Sequence, residues 1–329
     1  MTKNLKYSVI IPTISNNNYL QKNLSFLNKQ SFRKFEVIII TENMFKVKKY
    51  NFNLKIFFTK ISMPGEKRNL GAKIAKGEYL IFIDDDCYPH KEWLNVANNF
   101  IKKNICDNYI IGGPGILPHN ETFLSKIINL FFISLFLGNS KARYLNIKSY
   151  NLRNFDDWPS VNLVISKNNF FKIGGYDKKY WPGEDSKLCL KFQSRVGKII
   201  YLSKFIVFHF RRANIIKYTK QIFRYSYTRA FFFKNFDKNS FKIIYTLPSI
   251  CLLYFLFILT SMKINYFDLA IIFICLFSLL IDMFSSFKYE KNLKTLICSR
   301  FLILYSLIIY GSGFLYGFFS YRYKNSLGR

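Results

Sequence analysis

The chain has 329 residues, 49 Lys and Arg against 19 Asp and Glu for a net charge of +30, and half of its residues are hydrophobic, with 19% aromatic. So much Phe, Tyr and Ile excludes a disordered basic tail, since low hydrophobicity is what keeps a charged chain unfolded, and six cysteines without a Cys-x-x-Cys pair exclude a small disulfide scaffold. A mean hydropathy of +0.06 beside that charge requires apolar and basic residues to be segregated along the chain, and the length suggests about two units.

The start, Met1-Thr2-Lys3-Asn4-Leu5-Lys6, lacks the apolar core of a secretory signal, so a cytoplasmic beginning is expected. From Tyr7 to about Ile200, short β-branched runs (Val9-Ile10-Ile11, Val37-Ile38-Ile39-Ile40, Leu80-Ile81-Phe82-Ile83) alternate with helix-period stretches. One helix carries Leu20, Leu24 and Leu27; another carries Trp93, Leu94, Ala97, Phe100 and Ile101. Continuous apolar runs predict strands buried on both faces, and the alternation predicts an α/β domain with a mostly parallel central sheet flanked by helices.

After about residue 240 the composition changes. Three apolar stretches, 243–262, 267–287 and 301–321, are each long enough to cross a hydrocarbon core of ~30 Å, and they predict a C-terminal α-helical membrane domain. Arg211, Arg212, Lys217, Lys220, Arg224, Arg229, Lys234, Lys238 and Lys242 precede the first stretch. The next loop holds only Lys263 against Asp268, and the following one holds Lys288, Lys291, Lys294 and Arg300. Basic loops stay in the cytoplasm, so the expected location is a multi-pass cytoplasmic membrane protein with its N-terminal domain facing the cytoplasm. Arg322, Lys324 and Arg329 break this pattern if the third stretch crosses, and Gly311-Ser312-Gly313 permits a re-entrant or in-plane path. Two and three crossings both remain open. The expected organisation is a catalytic domain over 1–215, a basic, aromatic interfacial segment over 216–242, the membrane helices over 243–322 and a basic tail over 323–329.

The sharpest chemical feature is Asp84-Asp85-Asp86 at the end of an apolar strand. Adjacent carboxylates repel unless a cation or ligand takes up the charge, and the carboxyl ends of strands are where open α/β sheets bind ligands. Carboxylates two apart can share Mg²⁺ or Mn²⁺; alone, an idle acidic turn fits the residues equally well. Upstream, Gly65-Glu66-Lys67-Arg68-Asn69-Leu70-Gly71 offers basic and small residues entering a helix, suited to a diphosphate neighbourhood. Downstream, Gly183-Glu184-Asp185 serves either as a helix start, where acids favour the dipole, or as a general base with its neighbour. His209, ending Ile206-Val207-Phe208, is either structural or a further metal ligand.

Together with Val9-Ile10-Ile11-Pro12-Thr13, Gln30-Ser31-Phe32, Gly77-Glu78-Tyr79 and Gly174-Gly175-Tyr176-Asp177, these motifs in this order resemble glycosyltransferase family 2, of the GT-A fold, over roughly residues 7–230. Ile111-Gly112-Gly113-Pro114 looks like the segment preceding the acceptor side in membrane-attached members. The resemblance implies that Pro12, Thr13, Glu42, Arg68, Asp84 and Asp85 line the donor site, and that Asp84, Asp86 and His209 hold Mg²⁺ or Mn²⁺. It further implies that Asp185 activates the acceptor hydroxyl, with Gly183 and Glu184 on the acceptor side. Two departures stand out: Thr41-Glu42-Asn43 replaces the usual Asp-rich turn, and Ser186-Lys187 replaces the usual acid after Glu184-Asp185. Gln221-Ile222-Phe223-Arg224-Tyr225 resembles the Gln-x-x-Arg-Trp motif of processive synthases, with Tyr for Trp, but so few crossings cannot form their channel; an interfacial helix is expected instead. Leu124 to Leu137 is apolar and too short to span.

The expected function is a membrane-bound inverting glycosyltransferase that uses a nucleotide-sugar donor and a lipid-linked or saccharide acceptor, with anionic lipid as its surface and no nucleic acid partner. The alternatives are a polyprenyl-phosphate glycosyltransferase and, from another class, a membrane-tethered basic binding module with a degenerate site. Three adjacent acids where such a module needs positive charge argue against the latter.

Overall fold

A computed structural model describes residues 5–104, 106–148, 155–261 and 264–324. The described strands are β1 (Tyr7–Thr13), β2 (Phe35–Thr41), β3 (Asn53–Phe58), β4 (Tyr79–Ile83), β5 (Cys87–Pro89), β6 (Tyr109–Gly112), β7 (Gly115–Ile116), β8 (Asn162–Ser166), β9 (Lys198–Tyr201) and β10 (Val207–His209). The helices are α1 (Asn18–Asn28), α2 (Pro64–Ile74), α3 (Trp93–Lys103), α4 (Phe123–Phe132), α5 (Lys167–Lys172), α6 (Glu184–Arg195), α7 (Ile215–Lys234), α8 (Leu247–Ser261), α9 (Tyr266–Ser286) and α10 (Leu293–Phe319). The chain divides into two compact units, Met1–Pro118 with Leu145–Phe210, and His119–Tyr144 with Arg211–Arg329.

The first unit is built on a seven-stranded sheet of order β3-β2-β1-β4-β8-β6-β9. All neighbours pair in parallel except β8, which runs antiparallel to both β4 and β6. Every residue of β1, β2, β4 and β8 is buried, which is why these segments read as unbroken apolar runs rather than alternating ones. Leu20, Leu24 and Leu27 of α1 face this core, and Asn17 caps the helix by accepting the Leu20 N–H at 2.8 Å. Helix α2 lies close on β1, since a Cβ on Gly71 would sit 2.5 Å from Ile10 Cγ2. In α3, the buried Trp93 stacks on Phe205 and donates to Asn162 Oδ1 at 2.9 Å. A smaller sheet of order β5-β10-β7 follows the acidic triplet. Its register sets His209 opposite Cys87, the residue after Asp86.

The second unit is helical. Helices α9 and α10 are long and apolar enough to cross a membrane by length and composition, with mean hydropathies of 2.4 and 1.7, while α4 and α8 are shorter apolar helices. Residues 119–144 group with this unit rather than with the sheet, because Ile127, Ile128 and Phe132 pack on Tyr218, Ile222 and Leu302. The first apolar stretch is a 3-10 turn at Ile243–Tyr245 followed by α8, and the second coincides with α9 within a residue at each end. The third helix starts at Leu293, ahead of the expected 301, because Leu296, Ser299 and Arg300 already face inward. Buried Asp282 explains that start: it pairs with Arg300 Nη1 and accepts the Leu135 N–H at 2.6 Å.

Helix α10 runs unbroken through Gly311-Ser312-Gly313. These glycines permit close helix packing. A side chain at Gly311 would meet the Pro248 carbonyl at 2.7 Å, and side chains at Gly313 and Gly317 would collide with Ser226 and Tyr227 of α7. Gly313-x-x-x-Gly317 is the small-residue spacing that lets helix backbones approach.

Candidate active site

The candidate residues of the first unit meet at the carboxyl ends of β1 and β4. Thr13, the last residue of β1, donates to Asp85 Oδ2 at 2.6 Å, and Asn17 Nδ2 donates to the same oxygen at 3.0 Å. Burial, then the charge of Asp86, push Asp85 up to about 6 against these hydrogen bonds. Asn23 supports the turn by donating to the Asp84 carbonyl at 3.1 Å. Pro12 is buried in β1. Lys67 joins the neighbouring elements: its Nζ donates to the Thr13 carbonyl at 2.5 Å and to Glu42 Oε1 at 2.7 Å. Glu42 thus balances a lysine that is only 3% exposed.

Arg68, 4% exposed, is the centre of the charge arrangement. Its Nη2 donates to Asp84 Oδ1 at 2.6 Å, its Nη1 to Glu184 Oε1 at 3.2 Å, and Asp185 Oδ1 lies 3.9 Å from Nη1. The guanidinium also stands over the Tyr176 ring at 5.4 Å. Burial opposes its charge, but Asp84 first and then Tyr176, Asp185 and Glu184 outweigh it, so Arg68 is held more firmly protonated than usual. Its Nε is buried without a hydrogen-bond partner.

Gly183, at φ 116, lets the chain turn into α6 with Glu184 and Asp185 in the first turn. Burial, then the charge of Asp185, push Glu184 up to about 7. Burial raises Asp185 as well, against the pull of Arg68 and of the Ser160 hydroxyl, which donates to its Oδ1. Ser160 is bonded in turn to the Tyr176 hydroxyl at 2.5 Å. A partly buried carboxylate whose affinity for a proton is raised is better suited to act as a base than one at its ordinary value.

Asp86 and His209 form a separate pair, with His209 Nε2 3.5 Å from Asp86 Oδ1. The Cys87 Sγ also lies 3.5 Å from that oxygen, and the three ligand atoms fall within 4.8 Å of one another. The Asp86 side chain is 46% exposed. A hard carboxylate and an imidazole beside open solvent fit a divalent ion that keeps positions for phosphate oxygens. Of the three ligands expected from the sequence, Asp86 and His209 come together here, while the Asp84 carboxylate is turned to Arg68.

Sequence reasoning missed Ser160, Asn17 and Asn23, which carry no motif, and named Lys67 and Tyr176 only as motif neighbours. The spacing of Asn17 before the apolar positions of α1 is a cap signal; nothing local marks Ser160.

Comparisons with known proteins bear on the family and the fold. Residues 8–159 match the family described as Glycosyl transferase family 2. Among curated relatives, the poly(ribitol-phosphate) beta-N-acetylglucosaminyltransferase TarS of Staphylococcus aureus is 36% identical over 123 residues, 34% of this chain and 22% of that protein. The amylovoran biosynthesis glycosyltransferase AmsB of Erwinia amylovora is 29% identical over 218 residues, 61% of this chain and 68% of that one. The chain therefore spans about a fifth of the length of TarS. Among solved structures, the mannosyltransferase PcManGT of Pyrobaculum calidifontis, in complex with GDP-Man and Mn²⁺, shares the fold with a TM-score of 0.60 at 11% identity, covering 96% of this chain and 88% of that one. The chain carries a glycosyltransferase family 2 domain, built on the GT-A fold.

Proposed function

We propose that this chain is a membrane-bound inverting glycosyltransferase that moves a sugar from a nucleoside-diphosphate donor to a lipid-linked saccharide acceptor in cell-surface polysaccharide assembly. The observation that carries this reading is the charge arrangement at the strand ends: Asp84, Glu184 and Asp185 gathered on buried Arg68, beside a separate Asp86–His209 pair. The names of TarS, a poly(ribitol-phosphate) beta-N-acetylglucosaminyltransferase, and AmsB, an amylovoran biosynthesis glycosyltransferase, support the substrate class, and the apolar α9 and α10 support attachment to a membrane.

In this mechanism Asp185 takes the proton of the acceptor hydroxyl, held in place by Ser160 and balanced by Arg68. The acceptor oxygen bonds to the anomeric carbon from the face opposite the leaving group, the carbon–phosphate-oxygen bond breaks, and its electron pair leaves on the nucleoside diphosphate. The anomeric centre inverts. Thr13, Asp85 and the Lys67–Glu42 pair shape the donor end, and Gly183 and Glu184 the acceptor end. Mg²⁺ or Mn²⁺ held by Asp86 and His209 would supply the charge that steadies the departing diphosphate.

The test is a panel of nucleotide sugars offered to purified membranes with divalent metal, reading nucleoside diphosphate release. Asp86→Ala is expected to abolish turnover while the protein stays in the membrane; full activity in that variant, or in chelator, would overturn the metal assignment.

A further inference from the structure

The fate of α10 is open from the sequence, where a third crossing would carry Arg322 and Lys324 to the wrong side for the basic-loop rule. Within the helical unit, α7 and α10 lie side by side in the same direction. The Tyr218 hydroxyl meets Ser306 Oγ at 2.6 Å, Thr219 meets the Tyr305 hydroxyl at 2.7 Å, Gly313 and Gly317 close on Ser226 and Tyr227, and Lys234 Nζ reaches the Ser320 carbonyl. Yet α7 carries Lys217, Lys220, Arg224, Arg229 and Lys234, and hydrocarbon rejects such a helix. A partner packed along α7 over these residues shares its level in the bilayer.

The other contacts of α10 agree. Helix α8 begins against it, with Ser249 Oγ donating to the Gly311 carbonyl at 3.1 Å, and α9 ends against it, with Asp282 on Arg300. These two points on α10 are eleven residues apart, about 16 Å along its axis at the usual rise. So α10 crosses the base of the α8–α9 hairpin. The apolar window of α9 is 17% buried and that of α10 39%, so α10 packs more of its surface against other helices than α9 does. At the end of α10, a cleft of about 600 Å³ is lined by Tyr316, Phe319, Tyr321, Arg322 and Lys324, aromatic rings with cations, as at headgroup level.

We propose that the twenty-residue apolar stretch 243–262, which holds α8, and α9 alone span the bilayer, and that α10 lies in the plane of the cytoplasmic interface beside α7, the two forming a basic, aromatic platform for anionic lipid. This rests on the membrane reading above. Residues 211–214 reach at most about 14 Å and cannot carry the chain across a ~30 Å core, so α7 and the end of α10 stay on the side of the catalytic unit. Arg322 and Lys324 then obey the basic-loop rule.

The test maps cysteines in the full chain with a membrane-impermeant maleimide, in sealed vesicles of both orientations. Exposed Cys106 in the first unit marks the catalytic face; Ile264→Cys, between α8 and α9, and Tyr321→Cys, after α10, are introduced one at a time in a Cys106→Ser background. Tyr321→Cys is expected to react only from the Cys106 face and Ile264→Cys only from the other. Reaction of Tyr321→Cys from the Ile264 face, or only with a bilayer-soluble maleimide, would overturn the in-plane placement and leave membrane attachment standing. Reaction of Ile264→Cys from the Cys106 face would instead sink the membrane reading itself. Adding phosphatidylglycerol to zwitterionic vesicles should slow modification of Tyr321→Cys as Arg322 and Lys324 engage headgroups; an unchanged rate would refute the anionic platform.

Discussion

The two units treat apolar surface and charge in opposite ways. In the sheet unit the apolar runs are wholly inside, and ionisable groups collect at one end of the strands, where Arg68 meets Asp84, Glu184 and Asp185. In the helical unit large apolar side chains stand exposed along α8 and α9, such as Phe257 at 65% and Phe273 at 68%, while Asp282 and Arg300 are paired inside. The first pattern belongs to a protein in water with a polar site; the second is the one that the proposed membrane attachment requires, apolar surface facing an apolar solvent. Each unit nevertheless spends its buried charge on a contact far along the chain: Arg68 on Glu184, and Asp282 on both Arg300 and the Leu135 amide.

The strongest way to break this comparison is to remove the proposed proton acceptor. Asp185→Asn is expected to lower transfer by about 10²–10⁴-fold, the usual contribution of a general base, while donor binding measured by calorimetry is retained; unchanged transfer would remove Asp185 from the chemistry. In the helical unit, Asp282→Ala leaves Arg300 buried without its acid, and a loss of about 3–5 kcal/mol is expected, as for a broken buried ion pair. Thermal unfolding in detergent checks it, and a small loss would mean that the pair is wetter than its burial suggests. Gly71→Val overpacks the α2–β1 contact, where an added Cβ would lie 2.5 Å from Ile10; a loss of about 1–3 kcal/mol is expected. Gly174→Ala, with open space around its Cβ but φ at +82, separates backbone cost from crowding in the same denaturation series.

The smallest effect sharpens the sheet unit alone. Glu184 is raised from 4.5 to about 7 by burial and by Asp185. An acid with a raised folded pKa binds more protons folded than unfolded, so its contribution to stability is fully present below pH 4.5 and is lost as pH rises towards about 7. Activity runs the other way, since Asp185, also raised, must lose its proton to act as the proposed base. Rising pH should therefore lower the stability of the sheet unit and favour transfer. Glu184→Gln should flatten the stability profile in pH-resolved denaturation; an unaltered slope would exclude Glu184 as its source.

Much of the site was legible locally. The Asp84-Asp85-Asp86 triplet, Arg68 and Gly183-Glu184-Asp185 stand out because strand ends and helix starts concentrate chemistry in short motifs. What escaped was the partner of each group. Nothing near Asp84 in the chain indicates that its carboxylate turns to Arg68 while Asp86 faces His209; the β5–β10 register decides that. Ser160 reaches Asp185 from a segment without a motif. The stretch 119–144, expected with residues 1–215, packs instead with the helices, because its apolar face fits α7 and α10 better than its place in the chain foretells.

Local sequence determined the alternation of strands and helices, the apolar spans and the order of the family's motifs, because periodicity, capping and turn chemistry act over a few residues. Tertiary structure alone decided which acid faces which cation, and that Gly311, Gly313 and Gly317 bring α10 close to α8 and α7 rather than breaking it. Contacts between residues as distant as Arg68 and Glu184 depend on how whole elements pack, and no short stretch of sequence carries that.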